Sequence, residues 1–360
     1  MTRVRILHFI DTLGAGGAER QLVYLVENLD RERFDCHVLT TYDSFRHYED
    51  TLRQLDIPIH SLHHGALIPL GRAGAAARYV QLMWVLKPQI VHSWLHYPNL
   101  IGRIARPLCP SHQLITAVRT EYTPRQQSIE QFTLWMSNFR VVNTHPTTKS
   151  HFKVNTFHIP NGVPIPPQRP RSPQSSTFTA LMVARIDPRK DHLTLLRALN
   201  HLDKETKQNL NIVLIGEITD QATQAQIDST IRQLNLASLV QQLPPTHDIA
   251  PHYAAADVTI LPSSTEGFSN VILESFAAAK PIIVAQAADS AGLVKHGVNG
   301  WVFPTGDSLE LATQIESAYH TPQHHRTQMG RDGRAIAEQY SIQRMVEQYT
   351  LLYERALNRS

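Results

Sequence analysis

Glu266 and Glu274 stand eight residues apart in the stretch TEGFSNVILESF (265–276), the first beside a glycine and the second inside an apolar run. A carboxylate accepts hydrogen bonds from a pair of sugar hydroxyls, so each acid could grip a diol. Ser269 and Asn270 are both good helix-opening residues, which predicts Glu266 in a loop ahead of a helix and Glu274 in its first turns. Eight helical residues span roughly 12 Å, about the distance from the sugar to the ribose of a nucleotide sugar, with the diphosphate over the helix N-terminus between them. Negative charge early in a helix is also stabilising on its own account, which is the simpler explanation of such a pair.

Three further stretches could serve the same chemistry. VARIDPRKDHLTLL (183–196) places Arg185 at a strand end and Lys190 just before a helix that Asp191 can cap. Cations are unfavourable at the positive end of a helix unless an anion arrives there, although a solvated charge run is the plainer reading. DTLGAGGAERQL (11–22) follows an apolar run with three glycines and then a helix from near Glu19, so Gly16 and Gly17 let backbone approach a phosphate. Its spacing is GxGG, with Glu19 where a dinucleotide fingerprint needs its third glycine, and a dehydrogenase site is therefore disfavoured. Gly216 closes the apolar run of LIGEITD (214–220), where the missing side chain would admit a ligand. The 20 histidines include HSWLH (His92, His96) and LHHG (His63, His64), but neither forms a convincing ligand set, and no Asp-x-Asp cluster is present. No metal and no cofactor is expected.

Holding such residues requires loops at the ends of buried strands. Short Val, Ile and Leu runs alternate with helical patterns, the signature of parallel βαβ units. Strands are predicted at 4–10, 34–40, 57–62, 90–93, 114–118, 140–143 and 157–160, with helices at 19–29, 72–86 and 99–106. VPIPPQRPRSPQSS (163–176) then breaks the rhythm with prolines that can neither continue a helix nor donate to a sheet. The alternation restarts with strands at 178–183, 211–215, 240–243, 258–261, 281–285 and 300–303, and two helical patterns close the chain at 322–339 and 341–357.

The expected organisation is therefore an α/β chain with an N-terminal Rossmann-like domain over 1–165, a proline-rich linker over 166–176, a C-terminal Rossmann-like domain over 177–340 and a final helical segment over 341–360. A length of 360 residues suits two domains better than one. Ligands of such doubly wound sheets bind outside the carboxyl ends of the strands.

An apolar share of 42% and a net charge of +3 describe a globular, mildly basic chain that suits anionic small molecules and shows no dense basic tract for nucleic acid. Cys36 and Cys109 form no CxxC pair, which fits a reducing cytoplasm. No run approaches a membrane span, and the apolar run at the start is too short for a signal-peptide core. RQQSIEQFTLWMSNFR (125–140) mixes basic residues with Phe132, Trp135, Met136 and Phe139, open both to peripheral contact with the cytoplasmic face of a membrane and to core packing, the latter favoured.

Together these residues resemble GT-B glycosyltransferases, and specifically the retaining nucleotide-sugar transferases of glycosyltransferase family 4. The likeness rests on GGAER (16–20), IPNGV (159–163), ARIDPRKD (184–191), EGFSNVILE (266–274) and GVNGWVF (297–303), and covers nearly the whole chain. It implies two Rossmann-like domains facing a cleft, with a nucleotide-sugar donor held mainly by the second. Glu266 would hold sugar hydroxyls, Gly267, Phe268 and Ser269 would offer backbone contacts, Asn270 and Val271 would meet the diphosphate, and Glu274 the ribose. Arg185 and Lys190 would stabilise the leaving diphosphate, and Gly16 and Gly17 would close over the phosphate. The acceptor would be a glycan or lipid-linked molecule of bacterial surface polysaccharide or glycolipid assembly. Where many members carry a donor-facing histidine this chain has Arg119, which with Glu121 and His92 becomes an acceptor-side candidate. Pro244 replaces a frequent glycine near the base pocket, so the nucleotide stays open. A non-catalytic nucleotide-sugar-binding protein and a GT-B sugar-nucleotide epimerase are the alternatives.

Overall fold

The computed structural model describes residues 3–44, 46–62, 71–119, 122–144, 154–167, 177–246 and 248–358. The chain divides into two compact units, Met1–Gly162 with Ile342–Ser360, and Val163–Ser341. The proline-rich residues 168–176, together with His63, His64 and Glu121, lie outside the described residues.

The first unit runs β1 (Val4–Ile10), α1 (Gly17–Asn28), β2 (Phe34–Thr40), α2 (Glu49–Gln54), β3 (Ile59–Ser61), α3 (Gly71–Leu86), β4 (Ile90–Trp94), α4 (His96–Ala105), β5 (Gln113–Val118), α5 (Pro124–Thr133), β6 (Phe139–Val142) and β7 (Asn155–His158). Its seven-stranded sheet has the order β3-β2-β1-β4-β5-β6-β7, all neighbours parallel. β1 and β2 pair along their whole length, from Val4 with Phe34 to Ile10 with Thr40. The central strands are buried on both faces, as their mostly apolar runs require, and carry His8, His92 and Ser93 into the interior with them. On one face Leu7, Phe9 and Val91 pack under Tyr79 and Met83 of α3. On the other, Ile6 and Ile90 pack with Leu22, Leu25 and Val26 of α1.

The second unit runs β8 (Phe178–Val183), α6 (His192–His201), α7 (Lys204–Asn209), β9 (Leu210–Ile215), α8 (Gln221–Gln233), β10 (Val240–Leu243), α9 (Ala250–Ala255), β11 (Val258–Leu261), α10 (Asn270–Ala277), β12 (Ile282–Ala285), β13 (Gly300–Phe303), α11 (Ser308–His320) and α12 (Gln323–Ala337). Its six strands are parallel in the order β10-β9-β8-β11-β12-β13. The last helix, α13 (Ile342–Leu357), belongs to the first unit and sinks Met345, Tyr349, Leu352 and Tyr353 into the α1 side of its core. Val163 and Ser341 form a parallel bridge, and the Val163 N–H donates to the Tyr340 carbonyl at 2.9 Å, so the second unit begins and ends at one place.

Several expected edges shift. α1 starts at Gly17 and α4 at His96, two and three residues ahead of the expected starts, and β3 covers 59–61 of the expected 57–62. The segment at 125–140 also differs from the core-facing expectation: Phe139 is buried, but Phe132 and Trp135 are 76% and 63% exposed. The reason is Glu130, the buried residue of α5, whose carboxylate grips the Arg103 guanidinium at 2.5 and 2.9 Å. Residues two apart on a helix point to opposite sides, so an inward Glu130 turns Phe132 outward.

Candidate functional site

In each sheet the strand order reverses once, between β1 and β4 in the first unit and between β8 and β11 in the second. The loops leaving such a pair of strands diverge to opposite faces and leave a crevice at the carboxyl ends, where ligands of open α/β sheets bind. In the second unit these are the loop after β8, carrying Arg185 and Lys190, and the loop after β11, carrying Glu266.

The structure joins these two loops. Lys190 Nζ lies 2.5 Å from Glu266 Oε1, with both side chains less than one-fifth exposed. The Ser264 N–H donates to the Arg189 carbonyl at 2.8 Å, a backbone bond beside the ion pair. Pro188–Lys190 form a 3-10 turn opened by Asp187, whose Oδ1 accepts the Arg189 N–H at 2.9 Å. Asp191 then takes the left-handed conformation, φ 49°, and caps α6 by accepting from the Thr194 N–H and hydroxyl. Arg185, on the same loop, stands 3.7 Å from Asp187 and remains 39% exposed at its side chain. His192, the first residue of α6, is buried, and loss of hydration pushes its imidazole down to about 4 despite the attraction of Asp187.

α10 begins at Asn270 with Ser269 at its N-cap, but the Ser269 hydroxyl makes no capping bond. α6, α7, α8 and α11 of this unit each start on an aspartate that accepts from the first turn. α10 thus opens without the aspartate cap its neighbours have, beside Glu266 and Lys190. Gly267 is half-buried and its carbonyl accepts from the Ser290 hydroxyl. Phe268 is buried against Tyr340, with ring centroids 5.6 Å apart. Asn270 and Val271 are half-buried on the first turn of α10. Glu274 lies deeper, and its Oε2 accepts from the Tyr253 hydroxyl at 2.9 Å. Sequence reasoning missed Tyr253: it stands on α9, 21 residues before its partner, and no local pattern links the two.

Gly216 also lies where two strand ends approach closely. A Cβ there would stand 1.8 Å from the Ala184 carbonyl oxygen, so its missing side chain serves the close exit of β8 and β9. In the first unit Gly16 is the N-cap of α1 and Gly17 its first residue; a Cβ on Gly16 would meet the Glu19 carboxylate, which folds back over that turn.

The acceptor-side candidates His92 and Arg119 are buried in this structure. Both are buried under α13: His92 Nδ1 is 2.8 Å from the Tyr353 hydroxyl, and Arg119 bonds Asn161 Oδ1 at 2.9 Å and the Tyr349 hydroxyl, with its guanidinium 4.7 Å from the Trp94 ring. A helix more than 200 residues later in sequence covers them, which no reading of the β4 and β5 loops could reveal. Among the described residues no group of three or more His, Cys, Asp and Glu could hold a metal ion, and no helix is long and apolar enough to cross a membrane.

Residues 167–336 match the model of the family Glycosyl transferases group 1. A D-inositol 3-phosphate glycosyltransferase of Geodermatophilus obscurus is 29% identical over 183 residues, 49% of this chain and 40% of that protein. The match therefore spans less than half the length of this curated relative. Among solved structures, HepE of Anabaena in complex with UDP and glucose superposes with a TM-score of 0.83 at 21% identity, covering 98% of this chain and all of the other. Sucrose-phosphate synthase of Thermosynechococcus elongatus gives 0.80 at 18% identity, over 99% of this chain and all of the other. The chain thus has the GT-B fold of two Rossmann-like parallel-sheet units, and its match to Glycosyl transferases group 1 falls on the unit that carries the Lys190–Glu266 pair.

Proposed function

We propose that the protein is a retaining glycosyltransferase that moves a hexose-type sugar from a nucleotide-diphosphate sugar to a glycan or lipid-linked acceptor, in bacterial surface polysaccharide or glycolipid assembly on the cytoplasmic side. The observation that carries this reading is the Lys190–Glu266 pair at the second unit's switch point, beside the α10 N-terminus, where Ser269 makes no side-chain capping bond. The match to Glycosyl transferases group 1 supports it, as do the UDP and glucose bound by HepE.

In this reading Glu266 accepts bonds from hydroxyls of the transferred sugar, and the diphosphate lies over the first N–H groups of α10. Lys190 and Arg185 take up the charge that develops as the bond between the anomeric carbon and the diphosphate oxygen breaks and its electron pair leaves with the diphosphate. The acceptor oxygen bonds to that carbon on the face just vacated, and its proton passes to the departing phosphate oxygen. Glu274, held by Tyr253, receives the ribose diol. These cations balance the leaving charge, and the reading assigns no step to a metal.

The test joins binding to turnover. A thermal-shift series against UDP, GDP, ADP and their sugar conjugates should show one nucleotide raising the melting temperature, since a ligand of the native state stabilises it by mass action. With that donor, Glu266→Ala and Lys190→Ala should each lower transfer by about a hundredfold or more at unchanged melting temperature. Near-normal transfer by both variants would remove the site assignment. Binding without any sugar released or transferred would instead leave a nucleotide-sugar-binding protein.

A further inference from the structure

The layer formed by α3, α4 and α5 covers one side of the first sheet, away from α1 and α13. Among the described residues, six of the eleven exposed large hydrophobic side chains fall on this layer and its short 3-10 extensions: Trp84, Val85, Ile104, Leu108, Phe132 and Trp135. Bonds between the elements make this a continuous face. The Trp84 indole N–H donates to the Leu108 carbonyl at 3.0 Å, and the Arg106 guanidinium donates to the Met136 carbonyl next to Trp135. These contacts join the carboxyl ends of α3, α4 and α5. A contiguous exposed apolar patch of this kind marks an interaction site.

Charge identifies the partner. Glu130 is the one acidic side chain among the described residues of 71–144, and it is buried against Arg103. Lys87 and Arg125 are exposed on the same layer, and Arg106 is half-buried between Ile104 and Leu108. The elements of this face carry apolar and indole side chains, basic residues and, among the described residues, no exposed acid, and the acids that share a pocket with Val85, Asp43 and Glu49, are paired with Arg46 and Arg53, so the face complements a surface that is apolar beneath and negative on top. A protein partner would ask for no such one-sided charge, whereas tryptophans and cations together suit the headgroup boundary of an anionic bilayer.

We propose that this face docks the protein on anionic lipid membranes, with Trp84, Leu108, Phe132 and Trp135 entering the boundary and Lys87 and Arg125 meeting the lipid phosphates. The inference does not rest on the donor site, and its test contains no nucleotide. Two of the four tryptophans, Trp84 and Trp135, are exposed, while Trp94 and Trp301 are buried, so fluorescence reports this face directly. Mixed phosphatidylglycerol and phosphatidylcholine vesicles should shift the emission to the blue and sediment the protein at low salt, and pure phosphatidylcholine should do so far less. Phe132→Ser with Trp135→Ser should weaken binding by about tenfold or more. Lys87→Glu with Arg125→Glu should abolish the preference for anionic lipid. Leu309→Ser with Leu351→Ser, exposed apolar sites elsewhere, should leave binding unchanged. The proposal is overturned if the wild type ignores anionic vesicles at low salt, if the serine pair at 132 and 135 binds like wild type, or if that pair instead converts a self-associating protein to a monomer.

Discussion

Burial sets the charge of His8 and His192. Loss of hydration pushes His8 down to about 3 and His192 to about 4, from an ordinary 6.5. Below 6.5 the unfolded chain takes up protons that the folded chain refuses, so both residues make stability fall as pH drops from about 6.5 toward 4. Asp11 works in the opposite direction: burial raises its carboxyl from 3.8 to about 6, so between those values the folded chain holds a proton more readily, and acidification favours it. Two histidines outweigh one acid, and melting temperature should be lower at pH 5 than at pH 7. His192→Asn should flatten that slope; an unchanged slope would show that His192 does not stay neutral in the fold. Tyr253 makes a second prediction. Tyr253→Phe removes the 2.9 Å bond to Glu274 and should raise the donor KM about fivefold with little change in kcat, as expected for a contact made equally in ground and transition states. An unchanged KM would separate Glu274 from donor binding. Residues of this kind divide by sequence distance. Glu266 and Lys190 could be singled out because each sits in a loop at the end of an apolar run. That they touch could not, since 76 residues separate them. The burial of Arg119 was hidden for the same reason on a longer scale, because its Tyr349 partner is 230 residues away.

Elements were legible where hydrophobic period and length agreed. The buried runs Val4–Ile10, Phe34–Thr40, Phe178–Val183 and Val258–Leu261 are strands with the boundaries read from sequence, because parallel strands covered on both faces are mostly apolar blocks. Short edge strands such as β3 and β7 were misplaced by up to two residues, having little apolar content to define them. The approach of α12 to α10 carried no readable signal, yet it seats the helix that bears Glu274. A Cβ on Gly330 would lie 1.9 Å from the Ala279 carbonyl oxygen just past α10, and one on Gly333 would lie 2.4 Å from the Phe276 ring. Neither helix can back away without opening the core that holds Phe276 and Met329. Gly330→Ala should therefore cost about 1–3 kcal/mol in denaturant unfolding, as overpacking does elsewhere. Arg331→Ala on the exposed face of α12 should change stability by less than about 0.5 kcal/mol. Equal effects of the two would mean that the helices are not in contact at the glycines.

At the scale of the molecule the second unit is one continuous stretch, Val163–Ser341, whereas the first is assembled from both ends of the chain. Residues 163–341 expressed alone should fold and melt cooperatively, because their core draws on no side chain outside them. Residues 1–162 alone should not, for Tyr349, Leu352 and Tyr353 would be missing from their core and His92 and Arg119 would lose their hydroxyl partners. Joining 162 to 342 through a short turn should restore that unit, since a Cβ on Gly162 would already lie 3.0 Å from the Ile342 Cα. A soluble, cooperative 1–162 fragment would contradict this division. The order of synthesis adds a further consequence. α13 is made only after the second unit, so the strands it covers wait through the making of that entire unit, on the order of 10 to 40 s at ordinary elongation rates. During that interval the later-made unit can complete itself while the earlier-made one keeps an apolar sheet face uncovered. The nascent first unit is thus exposed to aggregation and chaperone capture until α13 emerges to cover it.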